Sequence, residues 1–598
     1  MSDTLVLDMS TQSEGAAAVF TKRDWLAILD NQNQNYQGNQ CVIDTSQLAN
    51  SNKYMNYREA YLTVPMVLTM TAPITGAVNG AWAANATSAD FAVGLKNWYG
   101  SIIHSFTVDL QGTTIVQQTP YIGLWNSFKL MTSLSLDDVR TQGSQLGFYP
   151  DVAGVVHFGT AAGTGGLGTQ NNRISAPVIP ANNLALSCFT SWLSQTDGGI
   201  GEGGANTGLL QRILAWNFDP EGAQIGLATA GGTVYATDAV TGGNAAGMVS
   251  RASLNTLWQS YIFNKISSTV AVAGVWQAAI MGVVYLKHVH SFFERIPLLK
   301  GIFMKLTLNL NQTSVTFGTS AAGTFSTAVV NSPLGGVSPI MLTDTFGLNP
   351  AVYPVAGAVA GYIVSLAVGN RVLNSTQLQV AGILGSPIGG GSITLNLPAY
   401  TFNPVFEQSY LSTPVKKIVY TDVYQYQIVN QIVGGATFNN LVTNGIANIK
   451  SVLLIPFYSA SANSGLLPIQ SPFDPAGGGP TSPYIQFSQF NIQVSGQNAI
   501  YNTERYSHEQ FLNQFKGVNA INGGQTDGLT SGLINSKSWF NEYSYYYVNC
   551  GRMIPVEESV PKSVNVLGQN MSPKAIDIYV FVEYGAEISI DSLTGARV

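Results

Sequence analysis

Apolar and polar residues alternate along Phe106-Thr107-Val108-Asp109-Leu110-Gln111-Gly112, and the pattern resumes to Ile115. The same alternation runs through Phe490-Asn491-Ile492-Gln493-Val494-Ser495-Gly496 and on to Ile500. A period of two is that of a half-buried strand. A turn at Gly followed by a restart predicts a hairpin. Helical spacing follows each hairpin: Tyr121, Leu124, Trp125, Phe128 and Met131 in one case, Phe511, Leu512 and Phe515 in the other. An apolar strand with a proline precedes each, Tyr61–Leu68 with Pro65 and Val452–Tyr458 with Pro456. Proline inside a strand predicts an edge position or a bulge. The first set closes with Phe292–Pro297 and a strand over Ile302–Leu310, the second with a strand over Ala575–Tyr584. One order recurring 384 residues apart (106 to 490) reads as a single domain used twice. The period is too long for a solenoid or propeller.

This pattern predicts an all-β chain of two antiparallel β-sandwich domains with short helices and long loop insertions. The expected division is an N-terminal arm over 1–36, a first sandwich over 37–315, a linker and insertion over 316–400 and a second sandwich over 401–598. In the arm, Trp25, Ile28 and Leu29 stand at helical spacing, so Asp24–Leu29 is expected to be a helical docking segment. From Leu306 to Phe406 the only charged residues are Asp344 and Arg371. Val, Ile and Leu stay frequent there, which favours a strand-rich insertion over disorder.

Composition supports the picture. A length of 598 residues implies two to four domains. The 62 glycines suit many short strands joined by turns. Charged residues make up 10%, where about 25% is usual, so much of the surface is expected to lie against other subunits. The net charge is −6, without a Lys/Arg cluster to neutralise a nucleic acid. Cys41, Cys188 and Cys550 form no disulfide or zinc pattern, which with no visible signal peptide fits a reducing compartment. Val270–Leu286 and Ala351–Val368 approach membrane-span length but lack the roughly 20 uninterrupted apolar residues and the basic flanks a span needs.

No motif completes a catalytic or cofactor site. His288 and His290, on one face of an expected strand, lack a third metal ligand. His508-Glu509 begins a zinc-protease helix, but Leu512 stands where the second His is needed. Gly163–Gly168 and Gly199–Gly204 match the glycine-rich dinucleotide pattern. Pro177 and Pro180 follow the first too closely for a helix, and Asp219 lies too near the second to reach a ribose. The pairs Asp137-Asp138 and Glu557-Glu558 read as solvated turns. The expectation is therefore no enzyme, no cofactor, no metal and no catalytic residue.

The chain resembles the double jelly-roll major capsid proteins of virophages and Polinton-like double-stranded DNA viruses. The resemblance rests on Ser101–Gly112, Phe292–Asn309, Ile446–Phe457, Phe490–Tyr501, Ser531–Ile534 and Ile588–Gly595, and on their order. It implies two eight-stranded jelly rolls side by side, and three chains forming a pseudo-hexameric tile of an icosahedral virion shell around a double-stranded DNA genome. Implied partners are other copies of the chain, a penton protein and minor capsid or cement proteins. The alternatives are a carbohydrate-binding or carbohydrate-active sandwich, with Trp82, Trp98, Trp125 and Trp216 as candidate platform residues, and a trimeric fibre or receptor-binding protein.

Overall fold

The computed structural model describes residues 18–151 except 33, 35, 37, 72–73, 76–77 and 80–90. It also describes 157–159, 185–189, Arg212 and 597, and 275–591 except 320–324, 345–361, 370–390, 461–466, 471, 473–475, 483–484, 501–505, 521–531, 542 and 552–557. Both glycine-rich motifs, Trp82, Trp216 and Glu557 lie outside the described residues.

The strands that build the first half's two main sheets are β1 (Phe20–Leu29), β2 (Gln40–Asp44), β3 (Tyr61–Thr71), β4 (Ile103–Leu110), β5 (Thr113–Val116), β6 (Val275–Tyr285) and β7 (Met304–Leu310). After them come β8 (Thr313–Thr319), β9 (Phe325–Asn331), β10 (Tyr362–Val368) and β11 (Thr394–Phe402). The second half has β12 (Val415–Ile432), β13 (Thr437–Ile446), β14 (Ile449–Tyr458), β15 (Phe487–Val494), β16 (Gln497–Asn498), β17 (Tyr546–Asn549), β18 (Lys562–Asn570) and β19 (Ile576–Asp591).

Their pairing builds the same object twice. One sheet of the first half contains β1-β11-β3-β6, and its partner sheet is β2-β7-β4-β5. The second half repeats this as β12-β19-β14-β17 and β13-β18-β15-β16. All these pairs are antiparallel. Each half is an eight-stranded jelly roll, two four-stranded sheets that cover each other's apolar faces. The hairpins match in detail. Gln111 and Gly112 have φ of 49° and 78°, and Ser495 and Gly496 have 50° and 80°. Positive φ at both central residues defines the two-residue turn whose twist suits a hairpin. Phe106 and Phe490 lie on the corresponding strands β4 and β15, and both are buried.

Several expectations change. Asp24–Leu29 is strand, not helix: β1 runs antiparallel to β11 from Phe20↔Phe402 to Leu29↔Thr394. Ile28 faces the core while Trp25 and Leu29 are exposed, so apolar residues on the outer face imitated helical spacing. The 316–400 stretch, expected as a linker and strand-rich insertion, also runs into β11, which pairs with β1 and β3. The strands β8–β10 form an insertion that pairs with the far end of β3, Met66–Thr71. That insertion hid a correspondence: the partner of β7 in the second roll is β18, and Ala575–Tyr584 begins the counterpart of β11.

The prolines are not on edge strands either. Pro65 faces Met281 on one side, and on the other it falls between the end of β11 pairing at Thr63 and the start of β10 pairing at Met66. Pro456 pairs with Ile578 and lies beyond Leu454, the last residue paired to β17. Each proline, having no N–H to donate, sits where one neighbouring strand stops. Val270–Leu286 and Ala351–Val368 contribute β6 and β10, and no described helix is long and apolar enough to cross a membrane.

Candidate functional site: the seam between the rolls

The helix α1 (Ile122–Ser133) follows the first hairpin and α2 (His508–Ala520) the second. In α1, Leu124, Trp125, Phe128 and Met131 are buried as their spacing predicts. They do not sit on a free flank. Tyr121, just ahead of α1, lies 5.1 Å from Tyr579, and Trp125 lies 6.2 Å from Phe581, both on β19 of the second roll. Phe128 lies 5.1 Å from Tyr545 and 6.1 Å from Phe515. The first roll thus drives an aromatic wedge into the outer face of the second. In α2, Phe511 is fully buried, whereas Phe515 is only half-buried.

Polar contacts extend the seam. The Tyr420 hydroxyl donates to the Ile115 carbonyl at 2.6 Å, and the Thr119 hydroxyl donates to the Val423 carbonyl at 2.8 Å. His290 Nε2 lies 3.2 Å from Asp422 Oδ1, both buried. The Tyr584 hydroxyl and the Val423 amide donate to the same carboxylate. At the loop end, the ammonium of buried Lys96 donates to the Ala476 carbonyl at 3.0 Å. The Leu533 amide donates to the Met131 carbonyl at 2.8 Å. Nothing in the sequence pattern marked Lys96, Asp422 or Tyr420, because each reads as an ordinary strand or loop residue until the two rolls meet.

Each singled-out group has an ordinary place. His288 and His290 are not on a strand: Leu286–Val289 is one helical turn and His290 follows it. His290 turns to Asp422, while His288 packs edge-on against Trp98 and Tyr285. Burial, with help from Lys287, lowers the His288 pKa to about 4. Burial alone takes His104 to about 4, and no hydrogen-bond partner meets its Nδ1. Both rings are therefore neutral at pH 7. His508 opens α2, where the Ser507 carbonyl accepts the Phe511 amide. Asp138 closes a capping box with Ser135, whose hydroxyl holds the carboxyl below its usual range. Glu558 pairs with Lys450 at 3.2 Å. Burial raises the thiol pKa values of Cys41 and Cys550, the latter to about 12, so neither is a thiolate at neutral pH. Trp98 and Trp125 are core residues, not a sugar platform. Among the described residues, no three His, Cys, Asp or Glu lie together as metal ligands. One contact was not foreseen: buried Arg212 donates from Nε to the Leu95 carbonyl at 2.7 Å and pairs with Asp151 at 2.8 Å.

No family model and no curated protein matches the chain. Solved structures do. The 3.5 Å cryo-EM structure of the Sputnik virophage is similar at TM-score 0.48 and 11% identity, covering 97% of this chain and 88% of that one. The mavirus major capsid protein gives 0.40 and 10%, covering 96% and 89%. The Faustovirus major capsid protein gives 0.38 and 8%, covering 95% and 90%. The jelly-roll assignment itself rests on the strand pairings above.

Proposed function

We propose that this chain is the main building block of a virus shell, a non-enzymatic capsid subunit that works as a homotrimer. The observation that carries the reading is the seam. Two rolls of the same strand order meet head to tail, helix and loops of one on the outer sheet of the other. A head-to-tail contact between like units closes into a ring when its rotation divides a full turn. Six rolls from three chains make such a ring, and a six-cornered tile can cover a surface. The low charge fraction suits large neutral contacts, since a buried charge without a partner is costly. The sequence resemblance to double jelly-roll capsid proteins points the same way, and with it go the expected DNA genome, penton and minor capsid partners. We place the division between the rolls near Asn403, with the first over Phe20–Phe402 and the second over Val415–Asp591, because β1 and β11 pair within the first. Electron microscopy of the purified chain tests the proposal. Threefold particles of hexagonal outline are expected, and a solitary two-lobed particle at every concentration and salt would overturn it.

A further inference from the structure

The two rolls share a sheet order but not a burial pattern. On β14 in the second roll, both faces are buried along nearly the whole strand. On the outer side of its sheet, Trp125 of α1 meets Phe581 of the neighbouring β19 and Phe128 meets Tyr547 of β17, with Phe515 of α2 beside them. The matching strand of the first roll, β3, alternates: Leu62, Val64, Met66 and Leu68 are buried, while Tyr61, Thr63 and Val67 are half-buried. Its outer face carries an open aromatic row. Trp25, 50% exposed, lies 5.6 Å from Tyr61, which lies 5.5 Å from Tyr285. The Arg23 guanidinium sits 5.0 Å over the Trp25 ring. A cleft of about 820 Å³ opens here, lined among others by Arg23, Trp25, Arg58 and Tyr61. Phe20 and Leu29 continue the exposed apolar stripe along β1.

We infer that this outer face, centred on Trp25 and Arg23, is where another copy of the chain seats its second roll. The inference rests on the shell-subunit reading and deepens it by naming the surface. The chain itself displays the contact: β12 and β19 of the second roll are met by β5, α1 and the His290–Phe292 segment of the first. Strand for strand, β1 and β11 of the first roll are the counterparts of β12 and β19. The elements due to meet them are β16, α2 and the segment before β18 of a second roll. Among the described residues of the same chain, the Arg58-Glu59 turn reaches this face, where Glu59 accepts from Arg23 at 2.5 Å and from Tyr400 at 3.1 Å, while Trp25 and Leu29 stay exposed. Exposed tryptophan beside arginine is also the composition of a contact that dominates an interface.

The test uses the full-length chain, Trp25→Asp, and a chain with a benzophenone amino acid at position 25. Wild type should associate, and Trp25→Asp should weaken association by at least about 30-fold with its melting temperature unchanged. Light should cross-link position 25 to residues 403–591 of another copy. If wild type associates and Trp25→Asp does so equally well, or the cross-links land within 18–402, the surface is wrong while the shell-subunit reading stands. If wild type never associates, both fail. Should Trp25→Asp not fold, the cross-link position alone decides.

Discussion

Replacing Phe128 by Ala isolates the wedge that joins the rolls. The ring is 2% exposed and touches groups from four places: Trp125 at 5.8 Å on its own helix, Tyr545 at 5.1 Å, Tyr547 at 5.8 Å and Phe515 at 6.1 Å. Truncating a buried Phe costs about 3–5 kcal/mol, the transfer loss plus the cavity left behind. A cleft of about 440 Å³ borders Trp125 and Phe128, so side chains and water can relax into the gap. That places the cost in the lower half, about 3–4 kcal/mol. For a unit of about 200 residues each kcal/mol moves the midpoint by about 2–4 °C, so calorimetry should record a fall of roughly 6–16 °C. Hydrogen exchange gives the sharper readout. Phe128 belongs to the first roll, yet three of its four ring partners belong to the second, so protection should drop in Tyr546–Asn549 as well as in α1. Exposed Val405→Ala is the control, expected within about 0.5 kcal/mol of wild type. A Phe128→Ala melting shift below about 3 °C, or protection lost in the first roll alone, would refute the wedge.

Other outcomes follow from the same contacts. Asp422→Ala leaves His290 Nε2, the Tyr584 hydroxyl and the Val423 amide without an acceptor; at about 1–3 kcal/mol for each orphan, the urea midpoint should fall by the equivalent of at least about 3 kcal/mol. His104 binds a proton near pH 6.5 when unfolded but only near pH 4 when folded. Its contribution is therefore full above pH 6.5, is lost as pH falls towards 4, and amounts to as much as about 3 kcal/mol; His104→Gln should flatten that part of the stability profile against pH, seen in denaturant titrations. Gly112→Ala and Gly496→Ala should each cost about 1 kcal/mol and match each other in thermal melts, since both backbones need positive φ and an added Cβ would meet no neighbour.

The repeat was legible because strand period and turn chemistry are local. Phe106 to Gly112 and Phe490 to Gly496 name the same hairpin by their spacing alone, and Trp125 and Phe128 announce a buried helical face. Pairing over long range was not legible. β11 meets β1 across more than 360 residues, and the inserted strands β8–β10 separate it from β7, so the order along the chain aligns Ala575–Tyr584 with Ile302–Leu310 although its structural counterpart is β11. Trp25 and Leu29 misled because apolar residues on an outward face obey no core periodicity. The seam escaped notice for a related reason: Tyr420, Asp422 and Lys96 acquire their roles only from the other roll.

The mass of the purified chain in solution tests the central claim most directly. Light scattering at micromolar concentration should give three times the 63.6 kDa of one chain, with larger assemblies as salt is varied. A single-chain mass that persists across all concentrations and salts would contradict it.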